Sequence, residues 1–330
     1  MIETHFSIHG AGVRLSGDGR AAWKTADRLL SYFRSDAATQ PPPLELHVND
    51  GTALQAFPFE IPASAQVIFS KMMQTQLTGT DVDFDIAREG AVVYVNLKRN
   101  GRLRVDGPAR RAEAWFADAP NLHPEIIASF VLFALVELLK QHNLYMIHAA
   151  ALEKNGRGVL IVGAGGRGKT TSCLSLLRDT YRYLSDDHPF LRETPQGLEL
   201  LCFPEKIDVT DQTIAFFPEL REGRTPIHQG FRKKHFFLQD LYPEKIATSA
   251  PPVCILFPSV IDNPDSFLEP MPKSRALEKL LPQGLMVVSG DVARRQFQVL
   301  TRLAQQADCY KLHFGSNILE LPRVIDRLVQ

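Results

Sequence analysis

An α/β chain is predicted, with a mixed β-sheet core preceded by a smaller α+β N-terminal domain. Three observations predict it. The apolar run Gly158-Val-Leu-Ile-Val162 leads into the glycine-rich run Gly163–Thr171 and then into an apolar helical segment. From Met146 onward, strand-like and helix-like segments alternate, whereas residues 1 to 118 are strand-rich. At 330 residues the chain suits two domains, read as 1–118 and 119–330.

The elements follow from local patterns. Apolar spacing at Ala22, Ala26, Leu29, Leu30 and Phe33 predicts a helix over Ala21–Phe33. Leu44–Val48 and Ala91–Leu97 read as strands, the second turning at Asn100-Gly101 towards Arg102–Val105. Pro41–Pro43 marks an extended connector. Pro124 opens a helix to about Lys140, apolar on most faces and therefore expected to be buried. Met146–Leu152 and Val159–Val162 read as two strands about the turn Lys154-Asn-Gly-Arg157. Lys169–Leu177 is the helix after the glycine-rich run, and Tyr181–Ser185 is a short strand. Leu198–Phe203, Val253–Phe257 and Tyr310–Phe314 read as further strands. Arg275–Leu280, Val292–Ala307 and Pro322–Val329 read as helices.

Composition excludes several classes. There are 37 basic and 37 acidic residues, so the global charge points neither to nucleic acid nor to an anionic membrane. The most apolar segment, Ile126–Val136, is too short to span a bilayer, and Met1–Ser7 lacks the features of a signal peptide. Cys173, Cys202, Cys254 and Cys309 are widely spaced and read as reduced, buried thiols of a cytoplasmic protein. A homo-oligomer is compatible with this composition.

The chemistry gathers at three places. The glycine-rich run is a phosphate-binding loop in its proper context, between a strand and a helix. Its glycines permit φ > 0 and close approach of backbone N–H groups to an anion. The helix N-terminus adds unpaired donors and partial positive charge. Gly163, Ala164, Gly165, Gly166, Arg167, Gly168, Lys169, Thr170 and Thr171 thus form a nucleotide-binding run. Lys169 is placed to reach β- and γ-phosphate oxygens, and Thr170 to reach Mg²⁺. Asp186-Asp187 follows 23 residues after Gly163, at the end of a short strand that returns the chain beside the loop. One carboxylate there can hold Mg²⁺ and its neighbour can take a proton from an attacking hydroxyl. His148 precedes the loop by 15 residues, where it can orient a catalytic carboxylate. The basic cluster Arg232-Lys-Lys-His235, with Pro226 and Gly230 before it, reads as a mobile loop.

These features together resemble the HPr kinase/phosphorylase family and, more distantly, the ATP-dependent phosphoenolpyruvate carboxykinases that share its nucleotide-binding core. The matching residues are His148-Ala-Ala-Ala-Leu152, Gly163–Thr170 and Leu184-Ser-Asp-Asp187, and Asp186-Asp187-His188 is similar to the Asp-Asp-x-His of the carboxykinases. The resemblance implies a P-loop kinase core. In it Lys169 contacts the phosphates, Thr170 and Asp187 hold the metal, Asp186 acts as the base and His148 supports the base. The tail Cys309–Gly315 looks like that of shorter relatives, some of which phosphorylate peptide hydroxyls. No counterpart is found of the Gly-rich, Arg-bearing segment with which HPr kinases engage their protein substrate. The resemblance therefore extends neither to HPr as acceptor nor to phosphorylase activity.

The function expected is transfer of the γ-phosphoryl group of Mg²⁺-ATP to a hydroxyl, serine first, on a protein or peptide. The alternative is a non-catalytic ATP-binding partner in a peptide-modification system. A switch GTPase is disfavoured, because no Asp-x-x-Gly follows the loop and Asn-Lys-x-Asp is absent.

Overall fold

The computed structural model describes residues 1–36, 43–51, 57–74, 81–163, 166–220, 233–284 and 290–330. Within them the fold is mixed α/β, in two compact units.

The first unit, Met1–Leu144, is built on an eight-stranded sheet. Its elements begin with β1 (Ile2–Ile8), β2 (Ala11–Gly17), helix α1 (Ala21–Leu30) and β3 (Leu44–Gly51). They continue with β4 (Gln66–Gln74), β5 (Asp81–Glu89), β6 (Val92–Asn96), β7 (Gly101–Asp106), β8 (Arg111–Ala117) and helix α2 (Pro124–Leu139). The strand order is β1-β2-β3-β8-β7-β6-β5-β4. Pairings β2–β3 and β3–β8 are parallel and the rest antiparallel.

Burial alternates along β3 and β7, with Leu44, Leu46, Leu103 and Val105 turned into the core. The helices α1 and α2 cover that face. Asp50 at the end of β3 fixes where α1 starts, its two carboxylate oxygens accepting from Ala21 N and Ala22 N at 2.8 Å each. The division between units falls at Leu144, beyond the composition change near residue 118. The apolar surface of α2 packs on β3, β7, β8 and α1, so this helix belongs with the first unit.

The second unit begins at Tyr145. It contains β9 (Tyr145–Met146), β10 (Ala150–Lys154), β11 (Arg157–Ile161), α3 (Lys169–Arg178), β12 (Arg182–Ser185), β13 (Phe190–Thr194) and β14 (Gly197–Leu201). After these come β15 (Lys206–Thr210), α4 (Asp211–Phe216), β16 (Lys233–Phe237), α5 (Leu238–Leu241), β17 (Ser249–Ala250) and β18 (Pro252–Val260). The unit closes with β19 (Phe267–Pro270), α6 (Lys273–Gly284), α7 (Gly290–Gln306), β20 (Asp308–Phe314) and α8 (Leu321–Ile325).

Its main sheet has the order β12-β10-β11-β18-β20-β19, with β11, β18 and β20 parallel and the outer pairings antiparallel. One face packs Leu152, Val159 and Ile161 against Leu174 and Leu177 of α3 and Leu321 and Ile325 of α8. A four-stranded sheet β17-β14-β13-β9 and the ribbon β15-β16 complete the unit. Among the described residues no helix is long and apolar enough to cross a membrane.

Two sequence expectations need correction. Met146–Leu152 is not one strand: β9 pairs with β13 in the four-stranded sheet, β10 pairs with β11 and β12, and the chain changes sheets between them. The basic stretch from Lys233 is not a loop but strand β16, with His235 opposite Asp208 and Phe236 buried opposite Ile207. Arg232, Pro226 and Gly230 lie outside the described residues.

Candidate functional site

Strand β11 delivers the chain to the glycine-rich loop, because its antiparallel partner β10 and parallel partner β18 hold it in the centre of the sheet. The β10–β11 turn is the short hairpin expected from Asn-Gly, with Asn155 at φ 53° and Gly156 at φ 76°. In the loop, Gly166 and Gly168 take φ values of 76° and 88°. Gly168 is the N-cap residue of α3, and a Cβ placed there would lie 3.0 Å from two ring carbons of Phe314. Gly168→Ala is therefore expected to destabilise the protein by roughly 1–2 kcal/mol from its left-handed backbone alone. Thermal unfolding measures the loss, and ATP titration should show weaker binding. Ala164 and Gly165 lie outside the described residues.

Lys169, the first residue of α3, is buried. Its Nζ donates to the carbonyl of Gly163 at 2.8 Å and to Nε2 of His148 at 2.7 Å. An ammonium can only donate, so Nε2 must offer its lone pair and the ring proton sits on Nδ1. Consistent with a neutral ring, burial lowers the His148 pKa, and the charges of Lys169 and His188 lower it further against the attraction of Asp187. His148 thus contacts the lysine directly, while its Nε2 stands 3.7 Å from Asp187 Oδ1. The side chain sequence reasoning linked to a carboxylate makes its hydrogen bond to the loop lysine instead.

Backbone bonds fix this histidine in place. Ile147 N donates to Pro189 O at 3.1 Å, His148 N to Gln283 O at 2.8 Å, and Ala149 N to Asp187 O at 3.1 Å. The bend between β9 and β10 is thereby tied both to the Asp-Asp segment and to the end of α6.

The two aspartates occupy different surroundings. Asp186 is buried, and its Oδ2 accepts from Thr170 Oγ1 at 2.9 Å. Its Oδ1 is buried without a hydrogen-bond partner among the described residues. Burial foremost, then the charge of Asp187, pushes the Asp186 pKa up to about 8. Asp187 keeps 44% of its side chain exposed, with Oδ1 3.6 Å from Lys169 Nζ.

The site fits a hard divalent cation. A carboxylate oxygen with no partner and a neighbouring hydroxyl are the donors Mg²⁺ takes from a protein when phosphates and water supply the rest. Among the described residues no three His, Cys, Asp or Glu side chains converge to hold a metal unaided.

A pH dependence follows from Asp186. The unfolded chain releases this proton near pH 3.8 and the folded chain near 8, so between those values folding is coupled to proton uptake. Stability from this group is fully present below the unfolded value and is lost as pH rises through the window, by at most roughly 1.4 kcal/mol per pH unit. Asn cannot titrate. Asp186→Asn is therefore expected to raise the melting temperature relative to wild type at pH 8 and to leave it nearly unchanged at pH 4, measured without nucleotide or metal.

Further residues of the sequence reading are placed less centrally. Arg167 is exposed at the loop, and Thr171 Oγ1 lies 3.4 Å from Thr213 Oγ1 on α4. Cys173 is fully buried, and burial pushes its thiol pKa up, as suits a core residue. Sequence reasoning missed Glu205. Its Oε1 lies 2.7 Å from His188 Nδ1, and His188 N donates to Ser185 Oγ at 3.0 Å. Burial alone would lower the His188 pKa, yet the attraction of Glu205 raises it overall. Glu205 follows β14 with no motif around it, so only the tertiary contact reveals it.

No protein-family model matches the chain, and no curated protein matches it. Among solved structures it is similar to the Hpr(Ser) kinase/phosphatase from Coxiella burnetii, at 16% sequence identity. That similarity covers 56% of this chain and 93% of the other, with a TM-score of 0.31.

Proposed function

We propose that this chain is a Mg²⁺-ATP-dependent kinase that phosphorylates a hydroxyl, serine first, on a protein or peptide. One observation carries the proposal. Successive carboxylates at the loop mouth face different tasks, with Asp186 buried on Thr170 and Asp187 exposed beside Lys169 and His148. A pure nucleotide binder has no use for the second.

We read the roles the opposite way from the family resemblance, and the burial of Asp186 against Thr170 and the exposure of Asp187 support this reading. Asp186 and Thr170 would hold the metal, which supplies charge neutralisation on the phosphates when bound. Asp187 is the base. It takes the proton of the acceptor hydroxyl while that oxygen bonds to the γ-phosphorus and the bond from phosphorus to the β,γ-bridging oxygen breaks, leaving ADP. Lys169 places its charge on the transferring group. His148, neutral and accepting from Lys169, holds that ammonium at the loop and keeps it from pairing fully with Asp187.

Incubation with γ-labelled ATP, Mg²⁺ and mixed pools of peptides and proteins tests the reading. Label on a serine hydroxyl is expected. Nucleotide binding with no transfer to any pool would favour the non-catalytic partner instead.

A further inference from the structure

A cleft of about 690 Å³ opens beside the glycine-rich loop within the second unit. Gly163 and Arg167 of the loop form one end, the strand ends of β18 and β19 with Lys311 of β20 another side, and α6 the remaining wall. Arg275, Glu278, Lys279, Pro282 and Gln283 of α6 line it, at the spacing of a single helix face. The opposite face of α6, Ala276, Leu280 and Gly284, is buried, so the helix cannot turn its charges elsewhere.

The cleft is positively charged. Arg167, Arg275, Lys279 and Lys311 meet only Glu269 and Glu278, and none of the four cations forms an ion pair among the described residues. Glu269 Oε2 is already engaged by His313 Nε2 at 2.7 Å. Its carboxyl is held below the usual range, first by that bond and then by the charges of Lys311 and Arg275. The cations come from three separate elements, which suits carboxylates spread along a chain better than one compact anion. Pro258, Pro270, Met271 and Pro272 offer apolar surface to the chain between them.

The cleft also reaches the proposed transfer point. Gly163, at its rim, accepts from Lys169 Nζ, and Gln283 on its wall accepts from the backbone N–H of His148. We infer that this cleft binds the phosphoryl acceptor, and that the acceptor is an acidic peptide segment with Asp or Glu flanking the hydroxyl; this rests on the kinase reading above.

The test pairs binding with transfer. Fluorescein-labelled serine peptides flanked by glutamate, glutamine or lysine are titrated onto the full chain, with ATP binding measured in parallel. The glutamate peptide should bind about tenfold or more tightly than the lysine one, with affinity falling as salt rises. The double variant Arg275→Glu, Lys279→Glu should abolish that preference and leave ATP affinity within about threefold. Equal binding of all three peptides would overturn the assignment, as would binding of citrate in place of any peptide. An equal loss of ATP affinity in the variant would give the cleft to the nucleotide and also overturn it. Transfer at equal rates to glutamate and lysine peptides would sink the cleft assignment and leave the kinase standing. Selective peptide binding with no transfer would support the cleft as an acidic-peptide site and count against the kinase.

Discussion

Asp187→Asn is expected to slow phosphoryl transfer by about 10²–10⁴-fold while ATP affinity stays within about threefold. Asn keeps the shape and the hydrogen-bonding oxygen but cannot accept the hydroxyl proton. Because the Asp187 side chain is part-exposed, with Oδ1 3.6 Å from Lys169 Nζ and 3.7 Å from His148 Nε2, and its substitution leaves Lys169 in place, nucleotide binding has little reason to change. Asp186→Asn should behave differently. It leaves the Thr170 contact available but replaces the metal's anionic carboxylate ligand with a neutral amide oxygen, so the Mg²⁺ concentration needed for half-maximal rate should rise. A reversed outcome, with Asp186→Asn abolishing turnover at saturating Mg²⁺ and Asp187→Asn shifting the Mg²⁺ requirement, would restore the division of roles implied by the family resemblance. Steady-state kinetics with Mg²⁺ and ATP varied independently distinguishes the two.

Lys169→Ala is expected to weaken ATP binding by about 10- to 100-fold, the range for losing a hydrogen bond to a charged partner. Lys169 is the buried cation of the loop, held between Gly163 O and His148 Nε2. Its loss would remove that positive charge from the proposed polyphosphate site. Lys169→Arg should rescue binding poorly, since the planar guanidinium cannot occupy the same enclosed position with the same two acceptors. His148→Ala should cost less in ATP affinity than in turnover, because it frees the lysine to pair with Asp187 rather than removing it. Calorimetric titration with a non-hydrolysable ATP analogue reads the first effect, and initial rates read the second.

What was legible in the sequence was local. The hairpin at Asn155-Gly156, the loop glycines with φ > 0 and the helix from Lys169 each depend on a few neighbouring residues. So does the return strand before Asp186, because a short helix and strand leave the chain little choice of direction. Non-local partners were not legible. His148 sits on a bend only because β9 and β10 pair in different sheets, and its lysine contact and Gln283 tie arise from chain segments far away in sequence. The same holds for Glu205 under His188. The partner of α2 was equally hidden, since a helix apolar on nearly every face carries no signal for which sheet it will cover. Strand β16 was hidden because Lys234 and His235 read as solvated charge, whereas the strand is held by its pairing with β15 and by Phe236 buried opposite Ile207. The different burial of Asp186 and Asp187 was equally hidden, because adjacency in the sequence gives both the same reading.

A crystal structure with a non-hydrolysable ATP analogue and Mn²⁺ in place of Mg²⁺ tests the central claim most directly, because Mn²⁺ can be located by its anomalous scattering. The expected result is Mn²⁺ on Thr170 Oγ1 and the Asp186 side of the site, with the γ-phosphate against Lys169 and facing Asp187. A triphosphate bound away from the loop, or Mn²⁺ lying on the outer carboxylate with Asp186 still uncoordinated, would contradict the account.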